Sequence, residues 1–150
     1  MTNPEYPITL RVNGVNHDVL VGAGDTLLDV LRERLHIYSC RETCGIGVCG
    51  SCTVRLNGRA VSSCLTMAFT CSAAEVDTAE GGSAGRVQQA FLDHQAFQCS
   101  FCTPGFVMSV AAMLDEPADR RDADAALSGH LCRCCSYQQI RAAVQELLES

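Results

Sequence analysis

Residues 8–12 (ITLRV) and 17–21 (HDVLV) alternate polar and apolar positions on either side of Asn13-Gly14. That is the pattern of two strands joined by a tight hairpin turn. Thr26 then opens a helix. Leu27, Leu28, Leu31 and Leu35 form its apolar stripe, and Asp29 stands three residues on as a capping-box partner. The stretch 40–52 is rich in Gly and Cys and reads as an irregular loop. A second hairpin, 53–56 with 60–63, turns at Asn57-Gly58, and a short strand over 74–78 completes a sheet. At Glu80-Gly81-Gly82-Ser83 the apolar period changes from two to about 3.6, which marks a boundary. Beyond it, helices are expected over 84–95, 104–114, 122–127 and 137–148. Pro104 suits a first helical position with Thr103 as N-cap. Ser136 and Gln139 make a capping box, and Ile140, Val144, Leu147 and Leu148 form the buried face of the last helix. Glu116-Pro117 separates the second of these helices from the third. The fold class is therefore α+β: a small mixed unit over 1–80, then four short helices over 81–150.

Composition narrows the function classes. The chain has 150 residues, 47% apolar and 19% charged, which is globular rather than disordered. Its net charge of −6 is shared evenly by residues 1–80 and 81–150, which argues against nucleic acid or an anionic membrane as partner. Met1 to Pro7 lacks the basic start and apolar run of a signal peptide. No uninterrupted apolar stretch is long enough for a transmembrane helix. Many cysteines without export suggest metal ligands in a reducing compartment, so a cytoplasmic location is expected.

Eight of the eleven cysteines fall into two quartets. Cys44, Cys49, Cys52 and Cys64 read C-x4-C-x2-C followed by a distal Cys, the spacing of plant-type 2Fe–2S ferredoxins. Gly45, Gly47 and Gly50 lie within that loop, where wrapping backbone around a cluster needs positive φ and close approach. Freed amides can then donate to the anionic sulfurs. Cys99 and Cys102, in C-x2-C, pair with Cys132 and Cys134, in C-x-C, and each pair precedes an expected helix. Two helix N-termini aimed at one anionic centre would stabilise it. A zinc site competes for both quartets, more strongly for the second. Cys40 and Cys71 read as small buried hydrophobes. Cys135 reads as a silent thiol beside Cys134.

Other chemistry is not supported. Neither quartet has a vacancy for the two histidines of a Rieske site. His130 reads as lying beside the second quartet or on the loop surface. Gly45-x-Gly47-x-x-Gly50 matches a dinucleotide string but lacks the strand–helix context.

Three blocks in order carry a resemblance over almost the whole chain. They are Glu42–Cys52 (ETCGIGVCGSC), Gln98–Gly105 (QCSFCTPG) and Leu127–Cys134 (LSGHLCRC). On these, the chain resembles the small iron–sulfur subunit of the molybdenum hydroxylases, the xanthine dehydrogenase, aldehyde oxidoreductase and carbon monoxide dehydrogenase group. The resemblance implies a ferredoxin-like (β-grasp) N-terminal domain and a four-helix C-terminal domain, each holding one 2Fe–2S cluster. Electrons would pass from a molybdopterin centre through the Cys99/Cys102/Cys132/Cys134 cluster, then the Cys44/Cys49/Cys52/Cys64 cluster, to FAD. Gln98 would contact the pterin, and Cys134 would approach it. The molybdenum cofactor, usually the cytosine dinucleotide form in bacterial relatives, would sit on a large partner subunit and FAD on a medium one. A heterotrimer or a dimer of heterotrimers is the assembly implied, with no substrate site in this chain. A free-standing two-cluster ferredoxin or redox-sensing module is the alternative. The chain departs from the family pattern at Cys135-Ser136, where Thr-Gly is usual. It also departs at His130, usually Asn, at Ser100, usually Gly, and at Thr43, often Gly.

Overall fold

The computed structural model describes residues 4–134 and 137–150. Strands β1 (Glu5–Val12) and β2 (Val15–Gly22) form the first hairpin, and β3 (Thr53–Leu56) and β4 (Arg59–Ser62) the second. Both Asn-Gly turns have positive φ at each residue, 51° and 82° at Asn13-Gly14 and 49° and 82° at Asn57-Gly58. That is the twist-matched geometry a two-residue hairpin loop requires. Strand β5 (Glu75–Asp77) lies at the centre of the sheet, whose order is β2-β1-β5-β3-β4. It runs parallel to β1 and antiparallel to β3.

Thr26 and Asp29 close the expected capping box, with Asp29 N–H on Thr26 Oγ1 at 3.1 Å and Thr26 N–H on Asp29 Oδ2 at 2.8 Å. Helix α1 (Leu27–Asp29) then widens into a π-helical turn, Val30–Arg34. The wider turn buries Val30 along with Leu27, Leu28 and Leu31, a face broader than the α-periodic stripe alone predicts. These side chains fill the core under the sheet, together with Leu10, Val12, Val54 and Val76.

Helices α2 (Gly85–Asp93), α3 (Thr103–Asp115), α4 (Ala123–Ser128) and α5 (Tyr137–Glu149) pack around a second core. Asp122 caps α4, its carboxylate accepting from Ala125 N–H at 3.0 Å. The N-cap of α3 is Cys102, not Thr103, which is the first helical residue. A Pro at either of the first two helical positions costs no hydrogen bond, so the sequence rule tolerates that one-residue shift. The Ser136 capping box lies outside the described residues. Helix α3 is buried almost all round, from Gly105 to Ala111. It has neighbours on both sides, the other helices on one and β3 on the other. Arg55 of β3 reinforces that seam, pairing with Asp77 at 3.3 Å and with Asp115 at the end of α3 at 2.9 Å. Among the described residues, no helix is long and apolar enough to cross a membrane.

Candidate metal centres

Each cysteine quartet comes together in space as two thiol pairs. In the first loop Cys44 interacts with Cys49, and Cys64 with Cys52. Cys64 also feels the charge of Cys44, so both pairs share one locality. In the second, Cys134 Sγ is 3.6 Å from Cys99 Sγ, and Cys102 interacts with Cys132. The two pairs again sense each other, Cys102 through Cys99 and Cys134 through Cys132. Among the described residues, no three His, Cys, Asp or Glu group as a single ion would require. A binuclear cluster asks for something else: four thiolates shared between two irons.

The local backbone explains how the first set is held. Gly45, Gly47 and Gly50 all have positive φ, at 64°, 72° and 72°. The turns aim the amides of Val48 and Cys49 at Cys44 Sγ, each at 3.4 Å. Backbone N–H groups, that of Ile46 foremost, pull the Cys44 thiol down to about 6. Burial pushes Cys64 up to about 11 and Cys102 up to about 12. Cys99 is lowered, chiefly by the Phe101 amide, whereas Cys134 is raised by the neighbouring Cys99. Both loops thus aim amides at some of their sulfurs while burial and neighbouring thiols oppose ionisation of others. A positive metal centre resolves that opposition, because it takes all the sulfurs as thiolates.

The second loop is the more open of the two. Gln98, Cys99 and Cys134 are exposed, whereas Cys49, Cys52 and Cys64 are buried. Arg41, just before the first loop, reaches across and lays its guanidinium over Phe101, 5.0 Å from the ring centroid, in favourable cation–π range. Ser100 has φ of 60°. The left-handed penalty for an L-residue, ~1–2 kcal/mol, exceeds the ~0.4–1 kcal/mol that glycine's unfolded-state freedom costs. Ser100→Gly is therefore expected to stabilise the protein, read as a higher urea midpoint at unchanged slope.

The loops also touch each other directly. Leu131 N–H, one residue before Cys132, donates to the Cys49 carbonyl at 3.1 Å. Gly50 is enclosed between the halves. A Cβ there would meet the His130 ring at 2.5 Å and the Gly129 carbonyl at 2.6 Å. From the other side, a Cβ on Gly105 of α3 would lie 2.2 Å from the Gly50 carbonyl. His130 is accordingly buried, not on the loop surface. Its distance from Gly50 in sequence left no local signal of that contact, and nothing marked Gly105 beyond its place in the Gln98–Gly105 block. Cys40 and Cys71 are buried in the first core, as expected, and burial pushes the Cys40 thiol up to about 12. Cys135 lies outside the described residues.

Residues 10–84 match the 2Fe-2S iron-sulfur cluster binding domain family, and residues 75–145 the [2Fe-2S] binding domain family. The iron-sulfur-binding subunit of an aldehyde oxidoreductase from Escherichia coli O157:H7 is 40% identical, over 93% of this chain and 70% of its own length. The xanthine dehydrogenase iron-sulfur-binding subunit of the same organism is 38% identical, over 89% of this chain and 88% of its own. Among solved structures, quinoline 2-oxidoreductase from Pseudomonas putida 86 superposes with a TM-score of 0.84 at 32% identity. That match covers 96% of this chain and 93% of that one. The fold is thus a ferredoxin-like unit followed by a helical one, and the chain belongs to the small iron–sulfur subunits of the molybdenum hydroxylase family.

Proposed function

We propose that this electron-transfer subunit relays electrons from a molybdopterin centre, through two 2Fe–2S clusters of its own, to FAD on a partner subunit. Cys44, Cys49, Cys52 and Cys64 hold one cluster within residues 1–80. Cys99, Cys102, Cys132 and Cys134 hold the other within 81–150. The thiol pairs suggest the ligation: Cys44 with Cys49 on one iron and Cys52 with Cys64 on the other, then Cys99 with Cys134 and Cys102 with Cys132. Each cluster, when bound, supplies a one-electron donor and acceptor. The chain's own part is to present the thiolates, aim amides at them and keep the two loops in contact.

One observation carries the relay: the Leu131 amide on the Cys49 carbonyl. It ties a ligand of the first set to the residue preceding a ligand of the second. The loops are therefore continuous through a few covalent bonds and one hydrogen bond, which is how electronic coupling between two metal centres is best sustained.

Exposure suggests the direction. Gln98 and Cys134 lie on the open side of the second quartet, where a pterin-bearing large subunit would meet them, with Gln98 contacting the pterin. Ile46, Val48 and Leu65 are exposed apolar residues around the first loop, at 68%, 56% and 59%. Phe101, Leu131 and Tyr137 are similarly exposed near the second. A freely diffusing shuttle would not favour apolar surface at both ends. Contact with a large molybdopterin-binding subunit, carrying the cytosine dinucleotide form, and with a medium FAD-binding subunit would cover it. On this reading the chain is one subunit of a cytoplasmic heterotrimer, or of a dimer of heterotrimers.

Co-expression with the coding sequences adjacent to this one, followed by purification on a tag carried by this chain, tests the reading. Stoichiometric recovery of a molybdenum-containing and a flavin-containing subunit is expected. A lone monomer carrying both clusters contradicts it and favours a free-standing ferredoxin.

A further inference from the structure

His130 stands two residues before Cys132, yet its ring leaves that loop and enters the other half of the molecule. It is 6% exposed. Its Nε2 lies 3.2 Å from the Thr53 hydroxyl on β3, and that hydroxyl donates to the Gly50 carbonyl at 2.8 Å. The ring lies against Phe106 of α3, with centroids 4.8 Å apart. Only a glycine at position 50 leaves room for it, since a Cβ there would come within 2.5 Å.

The backbone on either side is fixed as well. His130 N–H donates to the Leu127 carbonyl at 3.1 Å, and the His130 carbonyl accepts from Tyr137 Oη at 2.9 Å. Tyr137 Oη in turn accepts from Cys132 N–H at 2.9 Å. One residue of the second cysteine loop is thus held by its main chain beside Cys132 and by its side chain beside Gly50.

Packing alone does not account for an imidazole here. Nδ1 is buried without a well-formed hydrogen bond among the described residues, although the Gly105 and Ala126 carbonyls act on the ring, and a poorly satisfied buried nitrogen is costly. An apolar ring would fill the space without that cost. What the imidazole adds is the polar contact to Thr53, which reaches the first loop through Gly50.

We propose that His130 is a positioning residue that clamps the Gly50–Thr53 segment of the first cysteine loop to the second, and so sets the separation and orientation of the two ligand sets. This rests on the reading that both quartets bind 2Fe–2S clusters.

The interaction between the two electron spins of the fully reduced protein serves as the ruler, because dipolar coupling falls with the cube of their separation. Wild-type protein is expected to show two cluster signals in the EPR spectrum, each split or relaxed faster by the other. His130→Leu and Thr53→Val are each expected to keep both signals but lose much of that interaction. The double variant should lose no more than either alone. His130→Gln, whose amide nitrogen can occupy the place of Nε2, should restore it. Thr53→Val removes only the hydroxyl, so it tests the clamp even where His130→Leu folds poorly. Unchanged spin interaction in Thr53→Val and His130→Leu, with both signals present, overturns this proposal alone. Wild-type protein without two cluster signals overturns the cluster assignment and this proposal with it.

Discussion

Cys99→Ala is expected to halve the iron of the purified chain, from about four to about two per molecule, and to abolish one of two cluster signals while sparing the other. Each cluster requires four thiolates, and Cys99 and Cys134 form an exposed sulfur pair with Sγ atoms 3.6 Å apart. Cys64→Ala should remove the opposite cluster. Cys64 belongs to the first core, where Cys52 and Ala68 are also buried. That variant should therefore also lose stability, because the free energy of metal binding is coupled to folding. Cys40→Ala and Cys71→Ala are the controls and should keep all the iron. Iron analysis with EPR distinguishes these outcomes. Loss of both clusters from Cys99→Ala would show that the two sites do not assemble independently.

Gly105→Ala should be strongly damaging although it touches no ligand. The added methyl would lie 2.2 Å from the Gly50 carbonyl and 3.2 Å from Ser51 Cα. Both are backbone atoms, so no side chain can swing away to make room. Overpacking of this kind costs ~1–3 kcal/mol, occasionally more. The strain falls where α3 rests on the first cysteine loop, between Cys49 and Cys52. Denaturation should show a lower midpoint, and the spin interaction of the reduced clusters should weaken as the halves part. Gly85→Ala is the comparison. A Cβ there meets nothing within 4 Å, and the change should stay within ~0.5 kcal/mol.

How much of this was legible in the sequence depends on how local each signal was. The two Asn-Gly turns, the Thr26/Asp29 box and the four later helices rest on neighbouring residues, and all of them form. The central place of β5, parallel to β1, is set by tertiary contact across more than sixty positions and leaves little local trace. The cysteine spacings grouped the quartets, but only folding shows which thiols pair. The enclosure of Gly50 by Gly105 and His130 is wholly long-range, which is why the sequence left His130 open between a place beside the second quartet and the loop surface. Ser100 is the intermediate case. In sequence it was only a departure from the family's usual glycine, and its φ of 60° shows what a glycine would supply there.

A relay through this chain requires two 2Fe–2S clusters within it. Low-temperature EPR of the dithionite-reduced protein, with iron, zinc and acid-labile sulfide measured on the same sample, tests it most directly. Two distinct 2Fe–2S signals with about four irons and about four sulfides per chain are predicted. Zinc in place of iron, or a single cluster signal from fully loaded protein, would contradict it.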